Sequence, residues 1–173
     1  MSNTSRPRTH TFGLGIIREE RGLLLLLRRR GEELWRLPGG SERAELGETA
    51  DEACQRVIHE ETGIRVTPHT ALVIDRVLAS GKDPEERYTV FNCGAIEYQK
   101  PSILLGPELS GYVWIQPDRT ADYLDVFYGR RAQLGLDALE EGSGIPILDG
   151  GNQARDRPEP PAFSPFSRSI RSW

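Results

Sequence analysis

The sequence predicts an α/β fold, a sheet covered by helices on both faces, and three observations lead there. Residues 23–27 are five consecutive leucines, a pattern a strand sustains when both of its faces are buried. Residues 49–63 carry the start signal, the apolar spacing and the stop signal of an amphipathic helix. Further β-prone runs follow, separated by polar segments rich in Gly and Pro.

Taken in order, residues 1–9 are polar and aperiodic and are expected to form a flexible arm. Residues 10–17, HTFGLGII, read as a first strand, and the turn at Glu19, Glu20, Arg21 and Gly22 leads into the leucine strand. Residues 35–40, WRLPGG, read as a short strand ending in a turn: Pro38 cannot donate to a ladder, and Gly39 and Gly40 reach backbone angles closed to other residues. In the next helix Thr49 and Glu52 have the spacing of a capping box, and Gly63 stands where a left-handed C-terminal residue belongs. Ala50, Ala53, Cys54, Val57 and Ile58 recur at intervals of three and four and give it one apolar face.

Residues 65–78, 88–96 and 112–115 read as further strands. A second helix is expected over residues 118–134, after Pro117, with Asp118 as its N-cap and Tyr123, Val126 and Phe127 as its apolar stripe. The division that follows is an arm over 1–9, one domain over 10–149, and a tail rich in Pro, Arg and Ser over 150–173. In the tail, Phe163, Phe166, Ile170 and Trp173 have helical spacing. So short a helix needs a docking surface, either on its own domain or on a second subunit in a homodimer; the alternative is a disordered terminus.

Composition narrows the function. A chain of 173 residues with a formal net charge of −4 supplies no global attraction to nucleic acid or to membranes, so partners have to be sought locally. Five leucines fall far short of the roughly 20 residues that span a bilayer, and the N-terminus has no apolar core like that of a signal peptide. The two cysteines, Cys54 and Cys93, form neither a CxxC nor a Cys/His cluster, which points away from a disulfide framework or a zinc site and toward a reducing cytoplasm.

Residues 40–64 carry the chemistry. Glu60 and Glu61 are adjacent at a helix end, and two carboxylates about 5 Å apart repel by roughly 3 kcal/mol at an effective dielectric near 20. A divalent cation turns that cost into a gain, and Mg2+ is commonly held by one or two carboxylates together with phosphates and water. Arg56 lies one turn before Glu60 and two turns after Glu48, so it can bridge these acids. Gly39 and Gly40 let the backbone approach a metal or phosphate closely. Such a set can cleave a pyrophosphate, which needs charge neutralisation on phosphate oxygens and a positioned water.

Gly40, Glu48, Arg56, Val57, Ile58, Glu60, Glu61, Gly63 and Ile64, in this order, resemble the signature of the Nudix hydrolase superfamily, G-x5-E-x7-R-E-U-x-E-E-x-G-U with U apolar. Eight of its nine specified positions match in residue type; Val57 replaces the acid after the arginine, and two extra residues, most simply Ser41 and Glu42, lengthen the segment before Glu48. WRLPGG before it and YVWIQPD after it also resemble such chains, so the likeness covers roughly residues 10–135.

The resemblance implies an α/β/α sandwich around a mixed sheet, Mg2+ or Mn2+ as cofactor, and a small-molecule nucleoside diphosphate derivative as substrate. It further implies that the Gly39 carbonyl, Glu60 and Glu61 face the metal and that Glu48 pairs with Arg56. The missing acid belonged on the helical face of Glu60 and Glu61. Glu45 in the lengthened loop is expected to replace it in catalysis, with Glu42, Glu97 and Glu108 as other sources.

Activity is then either retained in reduced or altered form, or lost, leaving a module that binds a phosphorylated nucleotide-like ligand; a different metal-assisted reaction on the same scaffold is a third reading. Val57 is equally readable as core packing and His59 as an exposed side chain. Arg28, with Arg29 and Arg30, can contact phosphates or be solvated after its strand. Trp35, Tyr88 and Phe91 can stack on a nucleobase or belong to the core.

Overall fold

The computed structural model describes residues 9–97, 103–142, 145–150 and 152–153. Eight strands form one sheet: β1 (His10–Glu19), β2 (Leu24–Arg29), β3 (Gly39–Ser41), β4 (Ala71–Val77), β5 (Glu86–Ile96), β6 (Leu109–Ile115), β7 (Ile147–Asp149) and β8 (Asn152–Gln153). Their order is β6-β2-β1-β5-β4-β7-β8, and β3 pairs with β1 off this path. The sheet is mixed, because β1 runs parallel to β5 and β4 parallel to β7 while the other pairings are antiparallel.

Helix α1 (Ala50–Thr62) covers one face and helix α2 (Val126–Glu141) the other, giving the expected α/β/α sandwich. The leucine strand shows why. Leu25 and Leu27 join Ile17, Cys54, Ile58 and Phe91 in a core under α1, while Leu24 and Leu26 join Leu14, Ile16, Val90, Ala132 and Leu136 in a core under α2. Period-two alternation sends successive leucines to opposite sides, so a continuous apolar run is what two helical layers require.

On the α1 side, β1 presents glycine. A Cβ on Gly13 would run into the Ala50 carbonyl, and one on Gly15 would come within 2.8 Å of Ile58 Cδ1 and of Cys93 Sγ. The absence of side chains there lets α1 lie directly on the strand. Cys54 and Cys93 are buried free thiols with sulfurs 3.8 Å apart. Each is a hydrogen-bond partner for the other, and this together with burial pushes the Cys54 thiol far up.

The ends of α1 follow its sequence signals: the Thr49 amide donates to Glu52 at 2.9 Å, and Gly63 at φ 72° donates to the His59 carbonyl.

Three expected elements differ in the structure. Over residues 65–78 only Ala71–Val77 is strand, since Pro68 cannot donate a ladder bond. Over 35–40, Arg36 makes an isolated bridge to Leu27 and regular pairing begins at Gly39. The second helix starts eight residues later than its sequence signal. Pro117–Asp122 is a 3-10 turn, and Asp125 is the N-cap that holds, its carboxylate accepting from the Tyr128 amide at 2.7 Å. Val126 and Phe127 are therefore exposed, and the buried face consists of Arg131, Ala132, Gly135, Leu136 and Ala138. The sheet runs on to Gln153 through β8. The apolar stripe from Phe163 to Trp173 lies outside the described residues.

Candidate active site

The site forms where β3 crosses the C-terminal half of α1. Gly39, at φ 117°, adopts a conformation that L side chains rarely take, and a Cβ there would also strike the Gly13 carbonyl. A Cβ on Gly40 would lie 3.1 Å from Val57 Cγ1, so the valine methyls press against the glycine edge. Val57 thus packs between helix and strand, in the position where the signature places an acid.

Arg56 organises the acids. Its Nε donates to Glu48 Oε1 at 2.6 Å and its Nη2 to Glu48 Oε2 at 2.8 Å, a bidentate pair, while Nη1 reaches Glu60 Oε2 at 3.1 Å and Nη2 also reaches the Ser41 carbonyl at 3.0 Å. This hydrogen-bonded guanidinium holds the Glu48 carboxyl below its usual range, and the Glu48 carboxylate raises Arg56 in turn. Arg43 contributes a second guanidinium to Glu60, at 3.2 Å, and its amide donates to Glu48 at 2.7 Å. Glu48 is thereby committed to holding the loop against the helix.

The lengthened segment is accounted for as well. Ser41 pairs with Phe12 in the β1–β3 ladder, the Glu42 amide donates to the Thr11 carbonyl at 2.9 Å, and the Glu42 carboxylate accepts from the Thr11 amide at 3.1 Å. Glu42 thus extends the sheet edge. Glu45 stands exposed on the 3-10 turn Ala44–Leu46, and among the described residues no hydrogen bond or ion pair joins it to Glu60, Glu61 or Arg56. Glu97 and Glu108 are exposed, each beside a strand end.

Arg36 is the residue that sequence reasoning missed. It is 6% exposed; its Nη1 donates to the Gly39 carbonyl at 2.9 Å and its Nη2 pairs with Glu61 Oε1. The remaining buried atoms of that pair, Arg36 Nε and Glu61 Oε2, have no hydrogen-bond partner among the described residues. The one available signal was a charge inside the otherwise apolar run Leu34–Trp35–Leu37; nothing in its spacing pointed to Glu61, 25 positions on.

A cleft of about 590 Å3 opens beside this cluster, and its lining includes Arg36, Gly39, Gly40 and Ser41 together with Phe12, Trp35, Arg29, Glu33, Asp125 and Tyr128. Phe12 stacks on Tyr88 with centroids 4.5 Å apart, and the buried Arg131 lies 3.7 Å from the Tyr88 centroid while pairing with Asp75 at 2.7 Å. Trp35 is on the cleft wall; Tyr88 and Phe91 are core; His59 is exposed. Arg28 lies over the Trp35 ring at 4.8 Å and donates to Ser110, so it touches the cleft only through Trp35.

The donors suit a hard divalent cation. The Gly39 carbonyl, Glu60 and Glu61 are all oxygens, and the orphaned, buried Glu61 Oε2 has capacity to spare. Among the described residues no group of three or more His, Cys, Asp or Glu could hold a metal by itself. A divalent ion held there would therefore draw its other ligands from water and phosphate, as Mg2+ commonly does.

Comparison with known proteins agrees with the geometry. A NUDIX domain family model matches residues 7–132. A MutT-like protein of Streptomyces ambofaciens is 32% identical over 142 residues, covering 79% of this chain and 81% of its own. A Bacillus subtilis (strain 168) protein with the provisional name 8-oxo-dGTP diphosphatase is 34% identical over 104 residues, 60% of this chain and 64% of its own. Among solved structures, a MutT protein from Methanosarcina mazei Go1 superimposes with a TM-score of 0.62 at 22% identity, over 82% of this chain and 100% of that one, a likeness of fold. With the signature on α1, the matching family model and a relative this similar over most of both chains, the protein belongs to the Nudix hydrolase superfamily.

Proposed function

We propose that this enzyme hydrolyses the pyrophosphate of a nucleoside diphosphate linked to another moiety, with Mg2+ or Mn2+ as cofactor. The observation that carries the reading is that Arg36, itself in the lining of the cleft, joins the Gly39 carbonyl to Glu61, the neighbour of Glu60 on α1, while Phe12, Trp35 and Tyr128 line the same cleft. The Bacillus subtilis relative, whose provisional name is that of a diphosphatase acting on a nucleotide, supports a nucleotide substrate.

Glu60, Glu61 and the Gly39 carbonyl would hold the ion, which when bound neutralises phosphate oxygens and acidifies water. Arg56 fixes Glu60 by its ion pair and keeps Glu48 and the Ser41 carbonyl in register with the helix. Gly40 lines the cleft, and its missing Cβ makes room for Val57, so that β3 can lie close against α1. The nucleobase has Trp35 as its stacking surface, with Arg28 holding that ring from its other contacts at Ser110. Glu45 is kept as the candidate to take the proton lost by the attacking water on the ground of its place in the lengthened loop alone, since it is exposed and outside the cleft lining, and Glu45→Gln tests it. Water oxygen bonds to one phosphorus, the bridging P–O bond breaks, and the bridging oxygen leaves with the other phosphate.

A cytoplasmic location is part of the proposal and rests on the two adjacent free thiols; no helix among the described residues is long and apolar enough to cross a membrane.

The test is turnover of nucleotide sugars, dinucleotides and nucleoside triphosphates with Mg2+ or Mn2+ by wild type, Val57→Glu, Glu60→Gln and Glu45→Gln. Wild type is expected to release a nucleoside monophosphate from at least one class, and each glutamine variant to lose about 100-fold or more of that rate. Ligand binding without turnover in wild type, with activity appearing only in Val57→Glu, identifies a binding module instead. Unchanged turnover in Glu45→Gln excludes Glu45 as proton acceptor.

A further inference from the structure

We propose that Arg36 is a built-in counter-cation: its guanidinium occupies the Gly39 carbonyl and the Glu61 carboxylate, two groups that a divalent ion would use, so Arg36 and the ion compete and Arg36 sets how readily the protein takes up Mg2+ or Mn2+. The inference rests on the metal reading above and adds to it a residue outside the signature.

The way Arg36 pairs supports this. A guanidinium facing a single carboxylate commonly makes two parallel bonds. Arg36 instead divides its two terminal nitrogens between Gly39 and Glu61, which leaves its own Nε and Glu61 Oε2 buried without hydrogen-bond partners among the described residues. It bridges two oxygen donors from different segments, as a cation would. Both side chains are nearly enclosed, 8% and 10% exposed, so bulk water does not replace either partner freely.

Charge balance points the same way. Two neighbouring sets of ion pairs, Arg36 with Glu61 and Arg43 and Arg56 with Glu48 and Glu60, together contain three carboxylates and three guanidiniums. Together they are neutral before any metal arrives, and Val57 withholds the fourth negative charge that the signature would supply. A divalent ion entering a neutral cluster must displace a positive partner or bring its own anions. Arg36 is the partner in its way, and because Arg36 also lines the cleft, a displaced guanidinium can turn to substrate phosphate. Metal uptake and nucleotide binding are coupled through this one side chain.

Calorimetry of Mn2+ binding to the full chain tests the inference, with wild type, Arg36→Gln, Arg36→Lys and Glu61→Gln compared, each with and without a non-hydrolysable nucleoside triphosphate analogue. Arg36→Gln is expected to bind Mn2+ at least 10-fold more tightly than wild type without nucleotide, with Arg36→Lys between the two because one ammonium spans both acceptors poorly. The nucleotide is expected to tighten Mn2+ binding more in wild type than in Arg36→Gln. Melting temperatures give an independent readout: Arg36→Gln should fall in chelator and recover in Mn2+, while wild type changes little. If Arg36→Gln does not fold even with Mn2+, the Arg36→Lys affinity decides. Equal or weaker Mn2+ binding in the Arg36 variants, with binding lost in Glu61→Gln, overturns the inference and leaves the metal reading intact. Absence of Mn2+ binding to wild type and to every Arg36 variant, with nucleotide or without, overturns both.

Discussion

Glu48 shows how one residue of the signature holds others in place. Its carboxylate takes two bonds from Arg56 and one from the Arg43 amide, and it is the tie between the loop after β3 and helix α1. Glu48→Gln removes the charge and is expected to cost about 1.5–3 kcal/mol, the range for hydrogen bonds to charged groups, read as a lower urea midpoint. The pH dependence follows in sign. Arg56 lowers the folded-state pKa of Glu48, so the stabilisation is fully present above the unfolded carboxyl value of about 4.3 and is lost as pH falls through the lower folded value. Wild-type stability should decline in that acid window, and Glu48→Gln should flatten this part of the profile; an unchanged profile contradicts the assignment.

Helix α2 presses on the sheet through small residues, and that close approach is testable at the level of the element. A Cβ at Gly135 would come within 2.7 Å of Ile16 Cδ1 and within 3.6 Å of Val73 and Val90. Gly135→Ala is therefore expected to destabilise by about 1–3 kcal/mol despite the better helix propensity of alanine, and a rise in melting temperature would refute the packing described. The two helices also show what the sequence makes legible. The start and stop of α1 are written locally, in Thr49, Glu52 and Gly63, and could be read directly. For α2 two local signals compete. Pro117 and Asp118 resemble a helix start but yield a 3-10 turn, and Asp125, which accepts from Tyr128, takes the cap. Which of two plausible caps holds depends on the apolar face that reaches the core, a matter of tertiary packing.

Across the whole molecule, the sheet joins residues that are far apart in sequence, and these are the contacts that spacing does not reveal. Leucines 24–27 alternate between two cores and disclose both helical layers, whereas the meeting of Arg36 with Glu61 depends on how β3 is laid beside α1. Glu60, Glu61, Arg56 and Glu48 were legible because one helix and its leading loop carry them all. The cleft walls were less so, since Phe12, Trp35 and Tyr128 come from β1, the turn before β3 and α2. The same assembly brings Arg36, Gly39 and Gly40 into one cleft lining with Phe12, Trp35 and Tyr128, and the proposed diphosphate hydrolysis depends on that meeting of distant segments.

The most direct measurement of that claim is turnover of a nucleoside diphosphate derivative in 18O-labelled water with Mg2+, comparing wild type with Glu61→Gln. One labelled oxygen should appear in one phosphate-bearing product of the wild-type enzyme, and the rate should fall about 100-fold or more in the variant. No labelled product from wild type, or equal rates in the two proteins, would contradict the account.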